Sequence, residues 1–138
     1  MIMAHPSNSP ILVDSSVWIQ FFRSQNSPEA KSLDELLSIG KIATCAPIRC
    51  EVVSGTMNKQ GFHQLRNLFE ALIFLEPPEN IWIQIEESRF ALARQGVQVL
   101  LIDLWIALTA LYHRVTLWTV DKDFNHIRAV IPFKLYEI

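Results

Sequence analysis

Charged residues are scarce in this sequence, and neither sign dominates. The 138 residues include 12 Lys and Arg and 14 Asp and Glu, so the net charge at pH 7 is −2 and only 19% of side chains are charged. Constitutively basic nucleic-acid-binding proteins carry a clear excess of Lys and Arg, so this balance argues against that class. Any contact with nucleic acid would have to use a local basic patch.

Cysteine is equally scarce, with Cys45 and Cys50 as the only two. The histidines add no spacing that is typical of a zinc site. They are His5, His63, His113 and His126. We interpret the cysteines as free thiols in a reducing compartment and predict a cytoplasmic protein.

The first ten residues lack the basic and apolar segments of a secretory signal, so we expect none. The longest apolar run is interrupted by Asp103 and is too short to span a bilayer, which predicts no membrane association. We expect residues 1–10 to be a flexible lead-in. Residues 11–138 are predicted to form one domain, because the chain is short and shows no internal boundary.

Apolar residues are abundant, at 50% of the chain, and they fall into short strand-like runs separated by helical patterns. Strands are predicted at Ile11–Asp14, Ile42–Cys45, Ile73–Leu75, Val115–Val120 and Phe133–Ile138. Helices are predicted at Val17–Arg23, Asn26–Ile39, from Pro47, at Gln64–Leu72, Ile81–Arg94, Leu100–His113 and after Asp121. This alternation predicts a three-layer α/β/α fold with a mostly parallel central sheet of about five strands.

Four acids occupy related positions in that fold. Asp14 and Asp121 follow predicted strands, whereas Glu51 and Asp103 lie near predicted helix starts. Both kinds of position face the carboxyl edge of a parallel sheet, so the four carboxylates should meet there. Oxygen-only clusters favour Mg²⁺ or Mn²⁺.

Each acid also has a simpler interpretation when it is taken alone. Asp14 and Asp121 are compatible with turns or helix caps, and Glu51 with a solvated helix position. Asp103 is compatible with the favourable end of a helix dipole.

Four segments together resemble the PIN-domain nucleases, and most closely the VapC-type toxins. These segments are Asp14-Ser-Ser-Val-Trp-Ile, Pro47-Ile-Arg-Cys-Glu51, Asp103-Leu-Trp-Ile-Ala-Leu-Thr-Ala and Thr119-Val-Asp121-Lys-Asp123-Phe. The resemblance implies that Asp14, Glu51, Asp103 and Asp121 are the catalytic, metal-holding acids. It further implies auxiliary roles for Thr119, Asp123 and Ser15.

The same resemblance implies an endoribonuclease that depends on Mg²⁺, with Mn²⁺ as an alternative, and hydrolyses RNA by a metal-activated water. It implies the toxin of a type II toxin–antitoxin pair, a homodimer, and a cognate antitoxin that inserts a helix into an apolar groove. We predict that groove near Trp18, Phe21, Phe22 and the Leu33–Leu37 helix, and the alternative interpretation is that these rings belong to the core. Basic residues available for RNA are Arg23, Arg49, Lys59, Arg66 and Lys122.

Other classes with acidic sites fit less well. A dehalogenase-type phosphatase requires a second Asp where this chain has Ser16, and a receiver domain requires an Asp at the end of the strand Ile42–Cys45. A non-catalytic PIN-like or receiver-like domain that binds a protein or RNA remains the alternative prediction.

Overall fold

The computed structural model describes residues 9–137, and a five-stranded sheet lies at its centre. The strands are β1 (Ile11–Val13), β2 (Ile42–Thr44), β3 (Ile73–Phe74), β4 (Thr116–Trp118) and β5 (Lys134–Leu135). Their spatial order is β3-β2-β1-β4-β5, and every neighbouring pair is parallel. The predicted fold class is therefore confirmed, and all carboxyl ends of the strands lie on one edge.

Seven helices connect and cover the strands. They are α1 (Ser15–Arg23), α2 (Pro28–Ser38), α3 (Ala46–Ser54), α4 (Lys59–Glu70), α5 (Ile81–Arg94), α6 (Leu101–His113) and α7 (Asp123–Ile127). No helix in the described part of the chain is both long and apolar enough to cross a membrane. The predicted lead-in, residues 1–10, falls mostly outside residues 9–137.

The central strands are buried because helices cover both faces of the sheet. All three residues of β1 and of β2 are buried. On α6, every residue from Leu104 to Ala110 is buried, so this helix forms a large part of the core. Asp103 is thus attached to a helix that packing holds firmly in place.

Most predicted boundaries differ from the structure by a residue or two, and the larger differences have local reasons. Helix α4 begins at Lys59 rather than Gln64, because the Asn58 side chain caps it by accepting a hydrogen bond from the Gly61 N–H at 2.7 Å. Strand β4 ends at Trp118 rather than Val120, and the N–H groups of Val120 and Asp121 bond to the hydroxyls of Ser16 and Thr119. Strand β5 is limited to the two residues that pair with β4 at the sheet edge.

Candidate functional site at the carboxyl edge of the sheet

Asp14 links the two central strands at the point where both end. Its backbone N–H donates to the Trp118 carbonyl at 2.8 Å, and its side chain is 5% exposed. Carboxylate oxygen Oδ2 accepts hydrogen bonds from Ser16 Oγ at 2.6 Å and from Thr119 Oγ1 at 2.8 Å. These two hydroxyls compensate the cost of burying the charge and fix the orientation of the carboxylate.

The same hydroxyls shape the loop between β4 and α7. Ser16 Oγ accepts a hydrogen bond from the Val120 N–H at 3.2 Å, and Thr119 Oγ1 accepts one from the Asp121 N–H at 3.0 Å. Asp121 Oδ1 in turn accepts from the Asp123 N–H at 2.9 Å. The chain therefore bends back after Trp118, and this turn directs Asp121 and Asp123 to the start of α6.

Asp103, in the first turn of α6, completes a compact group of carboxylates. Asp103, Asp121 and Asp123 each offer one oxygen, and these three oxygens lie within 4.8 Å of one another. Carboxylates this close repel one another unless a proton or a cation lies between them. The arrangement therefore suits a bound cation.

Electrostatics at Asp103 identify the acids that influence it. Its side chain is only 8% exposed, and its pKa is raised from 3.8 to about 6. Burial is the largest cause, followed by the negative charges of Asp121, Asp14, Asp123 and Glu51. Asp103 therefore lies close enough to the other three predicted acids and to Asp123 for electrostatic interaction.

Glu51 occupies a looser position than the other acids. It lies on α3, which follows β2 directly, and its side chain is exposed. Cys45, at the junction of β2 and α3, is fully buried, and burial raises the pKa of its thiol to about 12. The thiol therefore stays protonated at neutral pH and is a poor metal ligand.

The structure divides the sequence-predicted site residues into three groups. Asp103, Asp121 and Asp123 form the compact group, Asp14 with Thr119 forms the hydrogen-bonded support, and Glu51 lies at the exposed periphery. Asp123, predicted as auxiliary, belongs to the compact group, since its carboxylate oxygen lies within 4.8 Å of those of Asp103 and Asp121. Ser15 makes no side-chain hydrogen bond with any residue from 9 to 137, whereas Ser16 makes three contacts.

Ser16 is the contributor that the sequence interpretation missed. A Ser or Thr two residues after an Asp at a strand end is typical of a local turn. In such a turn the Asp carboxylate accepts a hydrogen bond from the hydroxyl or from a nearby backbone N–H. That signal was present in the sequence, but its neighbour Ser15 carries the same hydroxyl, so residue type alone could not distinguish them.

The profile of the PIN domain family matches residues 11–130, which span both strand ends and all five acids. This chain belongs to the PIN domain family. Ribonuclease VapC11 of Mycobacterium tuberculosis is 29% identical to this PIN domain over 124 residues, which cover 87% of this chain and 92% of that protein. The predicted resemblance to VapC-type proteins is confirmed.

Solved structures share the fold of this PIN domain. The VapBC-1 structure from nontypeable Haemophilus influenzae superimposes with a TM-score of 0.74 at 23% identity, covering 92% of this chain and 96% of that one. A toxin–antitoxin complex from Klebsiella pneumoniae gives a TM-score of 0.63 at 25% identity, covering 93% and 99%.

Proposed function

We propose that this PIN domain is an endoribonuclease that requires a divalent cation. The expected cation is Mg²⁺, and Mn²⁺ is the alternative. We further propose that it is the toxin of a type II toxin–antitoxin pair. The observation that supports the activity most strongly is the group of three carboxylate oxygens within 4.8 Å, next to the hydrogen-bonded Asp14. Hard oxygen ligands of this kind suit both cations.

In this proposal Asp14, Glu51, Asp103 and Asp121 are the catalytic acids, and Asp14 and Asp103 bind the cation directly. Ser16 and Thr119 both donate to Asp14 Oδ2, so Oδ1 remains available as a ligand atom. When bound, the cation would lower the pKa of a water molecule and stabilise charge on the phosphate. Asp123 adds negative charge to the same group.

Binding of RNA at this site requires cations that contact its phosphates. Lys122 lies between Asp121 and Asp123, is exposed, and is the predicted basic residue nearest the acids in sequence. Arg49 and Arg66 both lie beside Glu70, at 4.0 and 3.7 Å, so their charges are partly neutralised. We therefore assign the first phosphate contact to Lys122.

The activity is tested by incubating purified protein with single-stranded RNA and Mg²⁺, with and without excess chelator. We expect cleavage only with the cation, and products with 5′-phosphate and 3′-hydroxyl ends, because water rather than the ribose 2′-hydroxyl is the nucleophile. Asp34→Asn, at an exposed acid on α2, is the matched control for site variants. Cleavage in excess chelator, or 2′,3′-cyclic phosphate ends, would contradict the proposal.

The proposed antitoxin contact requires a revised surface. Trp18 and Leu33 are fully buried core residues, so their predicted place on an open groove is wrong. Phe22 and Ile19 on α1 are 41% and 42% exposed, and Phe22 stacks on Trp18 with ring centroids 6.0 Å apart. We propose these two side chains as the part of the surface that receives the antitoxin helix.

Co-purification with the cognate antitoxin tests that surface. Phe22→Asp should weaken antitoxin binding, because it introduces a charge into an apolar contact. Met57→Asp, at a 96% exposed position, is the control. Equal antitoxin binding by the two variants, both folded, would refute this surface. The proposed assembly is completed by a homodimer.

A further inference from the structure

A small pocket lies at the amino edge of the sheet, at the opposite end of the strands from the acids. It has a volume of about 210 Å³ and is lined by the end of α6, the residue before β4 and the start of β5. Thr116 and Lys134 pair at the first positions of β4 and β5, which places the pocket where these strands begin. The candidate site lies where the strands end, so the two are distinct.

Two cationic side chains line this pocket, and no acidic side chain does. Arg114 and Lys134 are exposed, and the other lining residues are apolar. Ion pairs among residues 9–137 join Arg49 and Arg66 to Glu70, so no carboxylate there neutralises Arg114 or Lys134. Two positive charges beside one cavity repel each other, and an anion between them relieves that repulsion. The pocket therefore favours an anionic ligand.

Arg114 also has an unusual backbone conformation. Its φ of 56° is left-handed, and within residues 9–137 it is the only residue other than glycine with a positive φ. Gly, or less often Asn, is usual where a helix ends in this way, because a Cβ is strained there. The chain thus carries a long cation at a position where the backbone favours Gly, which points to a role for the side chain.

The size of the pocket limits the kind of anion. Cavities that enclose a complete small-molecule ligand measure about 300–1,000 Å³, and this one is smaller. It suits one part of a larger molecule, such as a single phosphate of a nucleic acid, and phosphates are bound mainly by Arg and Lys. Leu111 and Pro132, exposed beside the two cations, offer apolar contact to the adjoining sugar or base.

We propose that Arg114 and Lys134 bind a phosphate of the RNA strand at a distance from the bond that is cut. This inference rests on the proposed function, which assigns RNA as the substrate, and it adds a second contact to that of Lys122. Arg114 follows Asp103 along α6 by about 17 Å at 1.5 Å per residue. A stacked strand advances about 3.4 Å per nucleotide, so about five nucleotides span this distance.

Equilibrium binding of a fluorescent single-stranded RNA of about 20 nucleotides tests the proposal. Chelator is present throughout, so neither cleavage nor a bound cation contributes. We expect Arg114→Asn and Lys134→Gln each to weaken binding at least about fivefold. Each should also reduce the slope of log affinity against log salt by about 0.7, the value for one phosphate contact with a single strand. Lys31→Gln, at an exposed cation on α2, should leave both quantities unchanged.

Stability separates a role in RNA binding from a role in the fold. Asn accommodates a left-handed backbone, so Arg114→Asn should unfold at a urea concentration no lower than the wild type does. If Arg114 served only to stabilise the negative end of the α6 dipole, this variant would be less stable and would bind RNA normally. Lys134→Gln lies outside any helix and provides a second variant that keeps its fold.

Unchanged RNA affinity in both folded variants would overturn the proposal, as would a wild type without measurable affinity for RNA. Loss of antitoxin binding with unchanged RNA affinity would assign the pocket to a protein contact and would also overturn it. A wild type that binds RNA through this pocket but does not cleave it in Mg²⁺ would refute the proposed activity alone. Normal cleavage by the wild type, with unaffected binding in the variants, would refute the pocket alone.

Discussion

The end of β1 and the start of α6 each bury one carboxylate at the same edge of the sheet, and the protein stabilises the two differently. Asp14 is 5% exposed and receives hydrogen bonds from two hydroxyls. Asp103 is 8% exposed, and its side chain accepts no hydrogen bond from any residue between 9 and 137. Burial and four neighbouring acids raise the pKa of Asp103 to about 6.

The difference indicates which carboxylate depends more on a ligand from outside the chain. Asp14 is stabilised by Ser16 and Thr119 whether or not a cation is bound. Asp103 loses solvation on folding and faces four neighbouring acids, so its charged form is destabilised until a cation or a proton compensates it. Burial of a carboxylate alone therefore does not show that it depends on a cation. A buried carboxylate that accepts no hydrogen bond, such as Asp103, depends on a cation more than one that accepts two, such as Asp14.

Replacement of Asp103 is expected to have the largest effect, which is a loss of RNA cleavage. Asp103→Asn removes the charge with little change in size, and we expect cleavage to fall at least about 100-fold because a proposed direct ligand is lost. The measurement is the initial rate in saturating Mg²⁺, with Asp34→Asn as the control. Wild-type cleavage by a folded Asp103→Asn protein would remove Asp103 from the site.

The second effect concerns stability without metal. The pKa of Asp103 in the folded protein is raised from 3.8 to about 6, so the folded state binds this proton more tightly than the unfolded state does. The protonated carboxyl therefore contributes fully to stability below pH 4, and this contribution is lost as the pH rises through 6. The free energy of unfolding should therefore fall by up to about 3 kcal/mol across that window, at about 1.4 kcal/mol per pKa unit.

Chelator-treated protein unfolded by urea at several pH values measures this change. Asp103→Asn should lack that part of the pH dependence and should melt several degrees higher than the wild type at pH 7 without metal. Added Mg²⁺ should stabilise the wild type increasingly above pH 6 and the variant little. A lower melting temperature for metal-free Asp103→Asn would show instead that Asp103 takes part in a stabilising bond.

The smallest effect is expected where hydroxyls support Asp14. Ser16→Ala removes one of two donors to Oδ2, so we expect metal affinity to fall roughly tenfold while the fold is retained. Isothermal titration with Mn²⁺ measures this, with Ser15→Ala as the matched comparison. A larger loss at position 16 assigns the supporting hydroxyl to Ser16, and a larger loss at position 15 restores the role predicted for Ser15.

The main architecture could be predicted because its signals are local. The apolar runs Ile11–Val13 and Thr116–Trp118 are bounded by polar residues, and alternation with helices implies parallel strands whose ends share one edge. From this it follows that Asp14, Asp103 and Asp121 lie near one another. The prediction of five strands needed no information beyond such patterns.

The finer geometry of the site could not be predicted, since it depends on contacts distant in sequence. Asp123 joins Asp103 and Asp121 because Asp121 Oδ1 accepts its N–H, and Asp121 itself is directed by Thr119. The choice of Ser16 over Ser15 depends on the orientation of α1 relative to the end of β4. Neither relation is encoded in the spacing of residues along the chain.

The hydrogen bonds that join Asp14 to Thr119 and Ser16 to Val120 connect residues more than 100 positions apart, from the end of the first strand to the segment after the fourth. Contacts of such separation close a long loop and form late in folding. During synthesis on the ribosome, Asp14 emerges about 90 to 110 residues before the acids at 103, 121 and 123. A nascent chain shorter than residue 123 therefore carries no complete acidic site, and the proposed RNA-cutting activity cannot arise before that length is reached.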